Sequence, residues 1–385
     1  AERPPDRSAH DTGAIPTVPA APATSEEPAE MPRRALILGE SAMALDLEQA
    51  YKRMGFDTRV GAASIAEAFY PGIIVTSGDA EDTIETVEEV SQRVGAVVAP
   101  SVEACRHTAD RMAVRKQANE ELGLPVLDYE FAATPQEMHD AVERIGYPCV
   151  VKSPTSKDGE GFSFVHSDAD LADAWRSADR GLGQGAVVER FIDFDFEVTI
   201  LAARSIDPST GELATWFCEP IGTRHREGRL VESWQPAPLP EAAMDNARSI
   251  AARITGALAS CGIFSVEMFV SGDDVYFSQV TPRPSRDGLV TFVTQRINQF
   301  DLQAHATQRL PIDSTLISPG AVRFLEGHPS QAALAAAMAI EEVTVRMLGD
   351  GTLVLATADS AAEARQRTDE AVREIYNVDG KPGEN

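Results

Sequence analysis

From Arg33 onward, short apolar runs ending in glycine or proline alternate with amphipathic segments, and that alternation fixes the architecture of the first part of the chain. Ala35-Leu36-Ile37-Leu38-Gly39 reads as a buried strand closed by glycine, and Phe56 to Val60, Gly72 to Val75 and Ala96 to Pro100 read as further strands. Between them, residues 42 to 54 carry Met43, Leu47, Ala50 and Met54 at helical spacing before Gly55, and residues 79 to 93 predict an acidic amphipathic helix. Strands separated by helices pair in parallel, because each return passes over a face of the sheet. A small parallel α/β domain over about 33 to 108 is expected.

The flanking segments differ. Residues 1 to 32 are rich in Pro, Ala, Ser, Thr and Glu and cannot bury enough apolar surface to offset ordering, so a disordered tail is expected; residues 379 to 385 read as a second, shorter tail. Beyond 108, a helix over 109 to 123 stops at Gly123-Leu124-Pro125, and a strand at Phe131 leads into a helix with Thr134 as its N-cap. Tyr147 to Lys152 is a strand with the lysine at its end. Next come the glycine-containing loop 156 to 161, a strand to His166, a helix over 168 to 179 and a strand over 185 to 191. Residues 194 to 203 alternate, residues 213 to 221 read as one strand, and 241 to 258 as a long helix.

Ile263 to Val270 and Val275 to Val280 flank Ser271-Gly272-Asp273-Asp274, a hairpin signal that sets Glu267 almost opposite Gln279 on one face. The last part, 313 to 378, predicts an alanine-rich helix (330 to 339), strands over 342 to 348 and 352 to 357, and a final helix over 359 to 375. The reading is a mixture of α/β and α+β structure in three domains, 33–108, 109–312 and 313–378.

Composition narrows the partners. The 385 residues carry a net charge of −26, a surface that repels phosphate backbones and anionic lipid, so neither nucleic acid nor membrane is expected as a partner. No run of 18 apolar residues and no N-terminal apolar h-region is present, so a cytoplasmic protein is expected. Cys105, Cys149, Cys218 and Cys261 are far apart, and the histidines show no HExxH spacing, which argues against a disulfide framework or a Cys/His metal site.

Lys152, the loop 156 to 161 and Glu267 together suit a nucleoside triphosphate, which needs a cation, backbone N–H groups at close approach and an oxygen ligand for Mg2+. Taken singly, each has an ordinary reading: a surface lysine, a hairpin turn, a solvated strand carboxylate. Their order along the chain is what favours the nucleotide.

The stretches Ile145-Gly146-Tyr147-Pro148-Cys149-Val150-Val151-Lys152, Phe194-Asp195-Phe196-Glu197-Val198-Thr199, Glu232-Ser233-Trp234-Gln235-Pro236 and Phe277-Ser278-Gln279-Val280-Thr281-Pro282-Arg283-Pro284 carry a family resemblance. The sequence resembles the ATP-grasp proteins, specifically the formate-dependent phosphoribosylglycinamide formyltransferases, over about 33 to 378. The resemblance implies an ATP-grasp fold with an N-terminal parallel α/β domain and a small C-terminal domain. It implies that ATP converts a small carboxylate, formate, to an acyl phosphate that an amine then attacks, in purine biosynthesis. Arg111 and Lys152 would contact ATP phosphates under the loop containing Ser156, Lys157, Gly159 and Gly161. Glu189 and the backbone at Phe191 and Ile192 would hold adenine, Glu197 the ribose, and Glu267 with Gln279 the Mg2+. Arg283 and Lys152 would act at the transferring group, and a homodimer is implied.

Departures from the family pattern accompany these matches. Gln279 stands where the family has a second metal-binding glutamate, and Glu160 where it has a lysine. Gly39-Glu40-Ser41-Ala42-Met43-Ala44 lacks the glutamate and two glycines of the family's ribonucleotide loop. Arg286, with Asp287 next, stands where an aspartate is usual, and Gly349-Asp350-Gly351 replaces a segment bearing cationic phosphate ligands. Two functions therefore stay open: formyl transfer to glycinamide ribonucleotide, or a divergent homologue that uses another substrate or binds nucleotide as a catalytically weak partner protein.

Overall fold

The computed structural model describes residues 33–155, 161–226, 228–349 and 351–380. Its first sheet contains β1 (Arg34–Leu38), β2 (Asp57–Gly61), β3 (Ile73–Thr76) and β4 (Val97–Ala99), all parallel, in the order β2-β1-β3-β4. Both faces are covered. Ala35, Ile37 and Val75 pack towards the helix Ala42–Arg53, while Leu36, Leu38 and Ile74 pack towards the helix Ile84–Val94. That two-sided burial is why the β1 sequence is continuously apolar instead of alternating. The acidic helix begins later than its composition suggests, at Ile84, because Thr83 caps it by accepting from the Thr86 N–H.

The second sheet is a smaller antiparallel layer of β5 (Tyr129–Ala132), β6 (Cys149–Lys152), β7 (Ser163–Val165) and β8 (Ala186–Arg190), ordered β5-β8-β6-β7. Cys149, Val151, Val165 and Val188 face the helices Pro135–Ile145 and Leu171–Asp179 and form one apolar cluster. Cross-strand partners share a face, so Tyr129, Phe131, Val150, Lys152, Phe164, Val187 and Glu189 lie together on the opposite side.

The third sheet has nine strands: β9 (Phe196–Ile206), β10 (Leu213–Phe217), β11 (Ile221–Arg226), β12 (Arg229–Gln235), β13 (Gly262–Ser271), β14 (Asp274–Thr281), β15 (Gly320–Glu326), β16 (Val343–Leu348) and β17 (Gly351–Thr357). They run in the order β14-β13-β9-β11-β12-β15-β17-β16, with β10 beside β9. Val198, Ile200, Ala202, Phe264 and Val266 pack on the helix Glu241–Leu258. Leu201, Ile263, Leu353 and Leu355 join Ala35, Ile37 and Val75 in a cluster shared with the parallel sheet.

Several boundaries depart from the sequence reading. Residues 213–221 form two strands, not one: Pro220 has no N–H to donate to a continuing ladder, and the chain restarts at Ile221 in a different pairing. The expected helix over 109–123 is interrupted. Asp110 caps a short helix Arg111–Lys116, which loosens into a π-turn at Gln117–Glu121. The alternation expected over 194–203 holds only at the start of β9. From Val198 to Ser205 every residue is buried, because β9 lies in the sheet interior with a core on each side. All four cysteines are free thiols.

Candidate active site

The cleft is the region where the face of the small antiparallel sheet that bears Lys152 meets the part of the large sheet that bears Glu267: Arg111 lies in the field of both Glu189 and Glu267 and lines a small pocket with Arg115 and Gln279. Asp110 starts its cationic wall by accepting from the N–H groups of Met112 and Ala113 at 2.8 and 3.1 Å. The helix it caps carries Arg111 and Arg115 one turn apart, on one face. Arg115, Thr108, Arg111, Ser278 and Gln279 line a small pocket. The Arg115 guanidinium lies over the Tyr129 ring, 5.4 Å from its centroid.

Glu189 is the pivot of this wall. Its carboxylate lies 2.6 Å from Arg115 Nη2 and 2.7 Å from Lys152 Nζ, and all three side chains are largely buried. Burial raises a carboxyl pKa, yet the two cations prevail and hold Glu189 down at about 2. Burial pushes Lys152 and Arg111 the other way, below their ordinary values, with Glu189 restoring charge to the lysine and Glu267 to the arginine. Arg111 therefore links the two sides of the cleft electrostatically. Arg115 Nη1 is buried with no hydrogen-bond partner among the described residues, a donor that suits an incoming anion.

The acidic wall follows from strand register. Glu267 on β13 pairs with Gln279 on β14 and with Thr199 on β9, so the three side chains share a face. Thr199 donates its hydroxyl to Asp287 at 2.6 Å. Burial and the neighbouring Asp287 push Glu267 up to about 7, and burial likewise raises Asp287. Two desolvated carboxylates in one place favour a cation between them. Gln279 reaches its amide nitrogen towards Thr281 Oγ1 at 3.5 Å, so its carbonyl oxygen remains available as a neutral ligand. Oxygen donors of this kind suit Mg2+.

Glu197, at the start of β9, meets His225 Nδ1 at 2.8 Å. Burial lowers the imidazole pKa, but the Glu197 contact, with Asp287 and Glu267 behind it, raises it to about 9. Phe162, Phe164 and Phe191 make edge-to-face contacts beside Lys152's sheet, with centroids 5.1 and 5.4 Å apart. They provide a partly exposed aromatic floor. Phe191 and Ile192 are half-buried just after β8.

Ser156, Lys157 and Gly159, with Glu160, lie outside the described residues, as does Asp350. Gly161 is described. Its φ is +71° and a Cβ there would press on Ser153 and the Ser177 carbonyl, so the loop closes on a residue that has to be glycine. Arg283 packs its guanidinium against Gly78, just beyond β3, at the end of the parallel sheet. The neighbouring loop after β1 is filled from within: Asp79 accepts from the N–H groups of Glu40 and Ser41 at 3.0 and 2.8 Å and from the Ser77 hydroxyl.

Arg115, Thr199, His225 and Asp287 were not singled out as site residues from sequence. Arg115 was legible, because it repeats Arg111 at i+4 on a predicted helix. His225 was not, since its approach to Glu197 depends on the β9–β11 pairing. A separate pocket of about 370 Å3 is lined by Asp128, Tyr129, Glu130, Arg144 and Arg190; its charges are already paired as Arg144–Glu130 and Arg190–Asp128, so it offers no evident chemistry.

Comparison with known proteins fits this geometry. An ATP-grasp domain matches residues 117–300. A formate-dependent phosphoribosylglycinamide formyltransferase of Corynebacterium efficiens is 41% identical over 375 residues, covering 87% of this chain and 93% of the relative. The chain belongs to this formyltransferase family. A second member, from Corynebacterium jeikeium, is 47% identical over 304 residues, 74% of each chain. The solved glycinamide-RNase-transformylase T from Mycobacterium tuberculosis superposes with a TM-score of 0.75 at 30% identity, covering 89% of this chain and 99% of that one. ATP-grasp proteins use ATP, and this chain has the ATP-grasp fold. Among the described residues, no helix is long and apolar enough to cross a membrane.

Proposed function

We propose that this chain uses ATP to activate formate as formyl phosphate and transfers the formyl group to the amine of glycinamide ribonucleotide, a step of purine biosynthesis. The observation that carries the reading is the pairing of two walls in one cleft. Lys152, Arg111 and Arg115 converge on one side, with a buried donor of Arg115 lacking a partner. Glu267, Gln279 and Asp287 stand on the other. In this reading Lys152, Arg111 and Arg115 bind the ATP phosphates, and the loop with Ser156, Lys157, Gly159 and Gly161 covers them. Adenine lies on the aromatic floor beside Glu189, Phe191 and Ile192, and Glu197 accepts from the ribose hydroxyls. Glu267 and Gln279 would hold Mg2+, which supplies charge neutralisation for the transferring phosphoryl group. Arg283 and Lys152 stabilise the charge that builds as a formate oxygen attacks the γ-phosphorus and ADP leaves.

Asp79 supports a second reading of the acceptor. Its carboxylate sits on the amides of Glu40 and Ser41, the loop that the family resemblance assigns to the ribonucleotide. A different amine, or a weakly catalytic nucleotide-binding role beside a partner, fits a loop so filled. The deciding experiment is ADP release with formate and other small acids, with and without glycinamide ribonucleotide. Turnover that requires both formate and the ribonucleotide supports the main reading. Turnover with another amine supports a changed acceptor, and no turnover with any acid supports the partner role.

Three further points belong to the proposal: domains at 33–108, 109–312 and 313–378, a homodimer, and a cytoplasmic setting with small-molecule substrates. Limited proteolysis and analytical ultracentrifugation test the first two.

A further inference from the structure

Glu197 is reached by a histidine on the neighbouring strand β11. Thr223 of β11 is the register partner of Glu197 and donates its hydroxyl to the Glu197 carbonyl at 3.3 Å. Two residues on, His225 lies on the same side of β11 as Thr223. The ladder between β11 and β12 shifts between Arg224 and His225. The extra residue, Val231, belongs to β12, so β11 keeps its ordinary alternation and neighbouring side chains divide between its two faces. Arg224 turns outward to Glu232 at 2.9 Å, while His225 turns inward, with Nδ1 2.8 Å from Glu197 Oε2. Both partners are partly buried, with side-chain exposures of 27% for His225 and 22% for Glu197.

We propose that His225 is a positioning residue that fixes Glu197 for the ribose of the bound nucleotide. The imidazole occupies Oε2 and so presents Oε1 to the ribose hydroxyls. A rigid ring with one donor aimed at one oxygen limits the carboxylate to one orientation, which a long flexible cation would not do. The inference rests on the nucleotide reading of the cleft and adds to it the residue that sets sugar recognition.

Calorimetric titration with Mg-ATP and with its 2′,3′-dideoxy analogue tests it, because the analogue lacks the hydroxyls Glu197 would accept from. The native chain is expected to bind ATP more tightly than the analogue. His225→Ala is expected to weaken ATP binding about tenfold, the scale of a hydrogen bond to a charged group, and to leave the analogue within about twofold. His225→Asn, whose Nδ2 stands one bond from Cγ as Nδ1 does and can still donate to Glu197, is expected to recover most of the preference. On a Glu197→Ala background, His225→Ala is expected to change nothing further. An unchanged ATP-to-analogue ratio in His225→Ala, or additive losses in the double variant, overturns the inference while leaving the nucleotide reading in place. Failure of the native chain to bind ATP overturns both. If His225→Ala does not fold, His225→Leu, which fills the space but has no donor, carries the same comparison.

Discussion

Replacing Glu189 with glutamine removes one charge from the centre of the cationic wall and changes little of its shape. The native carboxylate lies 2.6 Å from Arg115 and 2.7 Å from Lys152, at 3% side-chain exposure. Its pKa falls from an ordinary 4.5 to about 2 because those cations outweigh burial. A shift of that size corresponds to about 3 kcal/mol of folded-state stabilisation, close to the cost of stripping one partner from a buried ion pair. Using about 2 cal/mol/K of unfolding entropy per residue, Glu189→Gln should lower Tm by about 4 °C at pH 7 if the chain unfolds in one step. The sign with pH is fixed. A depressed carboxyl pKa contributes stability that is present above the unfolded value and lost as pH falls towards the folded value. The gap between native and variant should therefore hold at pH 7 and close between pH 4.5 and about 2. Scanning fluorimetry across pH measures it. Inorganic tripolyphosphate provides a second arm, since it offers negative charge to Lys152 and Arg115 without a base; it should raise the Tm of the variant more than that of the native chain. Equal Tm values at pH 7, or a gap that persists unchanged at acid pH, would refute the reasoning.

Other perturbations test other parts of the cleft. Lys152→Ala should weaken Mg-ATP binding at least tenfold, measured by calorimetry, because a charge-assisted contact is worth about 1.5–3 kcal/mol; equal affinity would remove Lys152 from the phosphate site. Gln279→Glu restores a negative ligand opposite Glu267 and should tighten Mn2+ binding, followed by the loss of the free-ion spin-resonance signal; an unaltered titration would place Gln279 away from the metal. His225 has a raised pKa of about 9, so the stability it adds is full below its unfolded value of 6.5 and is lost as pH rises through about 9. His225→Ala should therefore lower Tm most at pH 6 and little at pH 9.5, and a constant deficit would count against the Glu197 pairing.

The sequence made the local pattern legible and left the pairing hidden. The β13–β14 hairpin was readable because Ser271-Gly272-Asp273-Asp274 marks its turn; the turn brings Glu267 near Gln279, and a bulge between Glu267 and Met268, which has no local signal, sets the two opposite each other. Helix 241–258 was readable from its apolar spacing, and Thr134 from its place before a proline. By contrast, β12 and β15 gave no clear signal. Arg229–Gln235 is part-charged, yet it occupies the middle of the large sheet because Glu232 is neutralised by Arg224 and Arg365. Lys152, Glu267 and Arg111 are all named from sequence, but the juxtaposition that joins them is not legible there. Arg111 lies in the field of both Glu189 and Glu267 only because the short helix after Asp110 packs against β14. Long-range juxtaposition of this kind leaves no local trace in composition or period.

Strand order in the large sheet has a further consequence. The last strands, β15, β17 and β16, extend the same ladder that begins at β14, and Arg346 on β16 pairs with Asp46 on the first helix. Residues near the two ends of the described chain thus lock onto each other across a span of 300 positions. A ribosome-bound chain would have to complete nearly its whole length before that clasp forms, and a truncation after Leu310 would leave β12 as a raw edge with Glu232 stripped of Arg365. Such a fragment should aggregate instead of surviving as a smaller nucleotide-binding body.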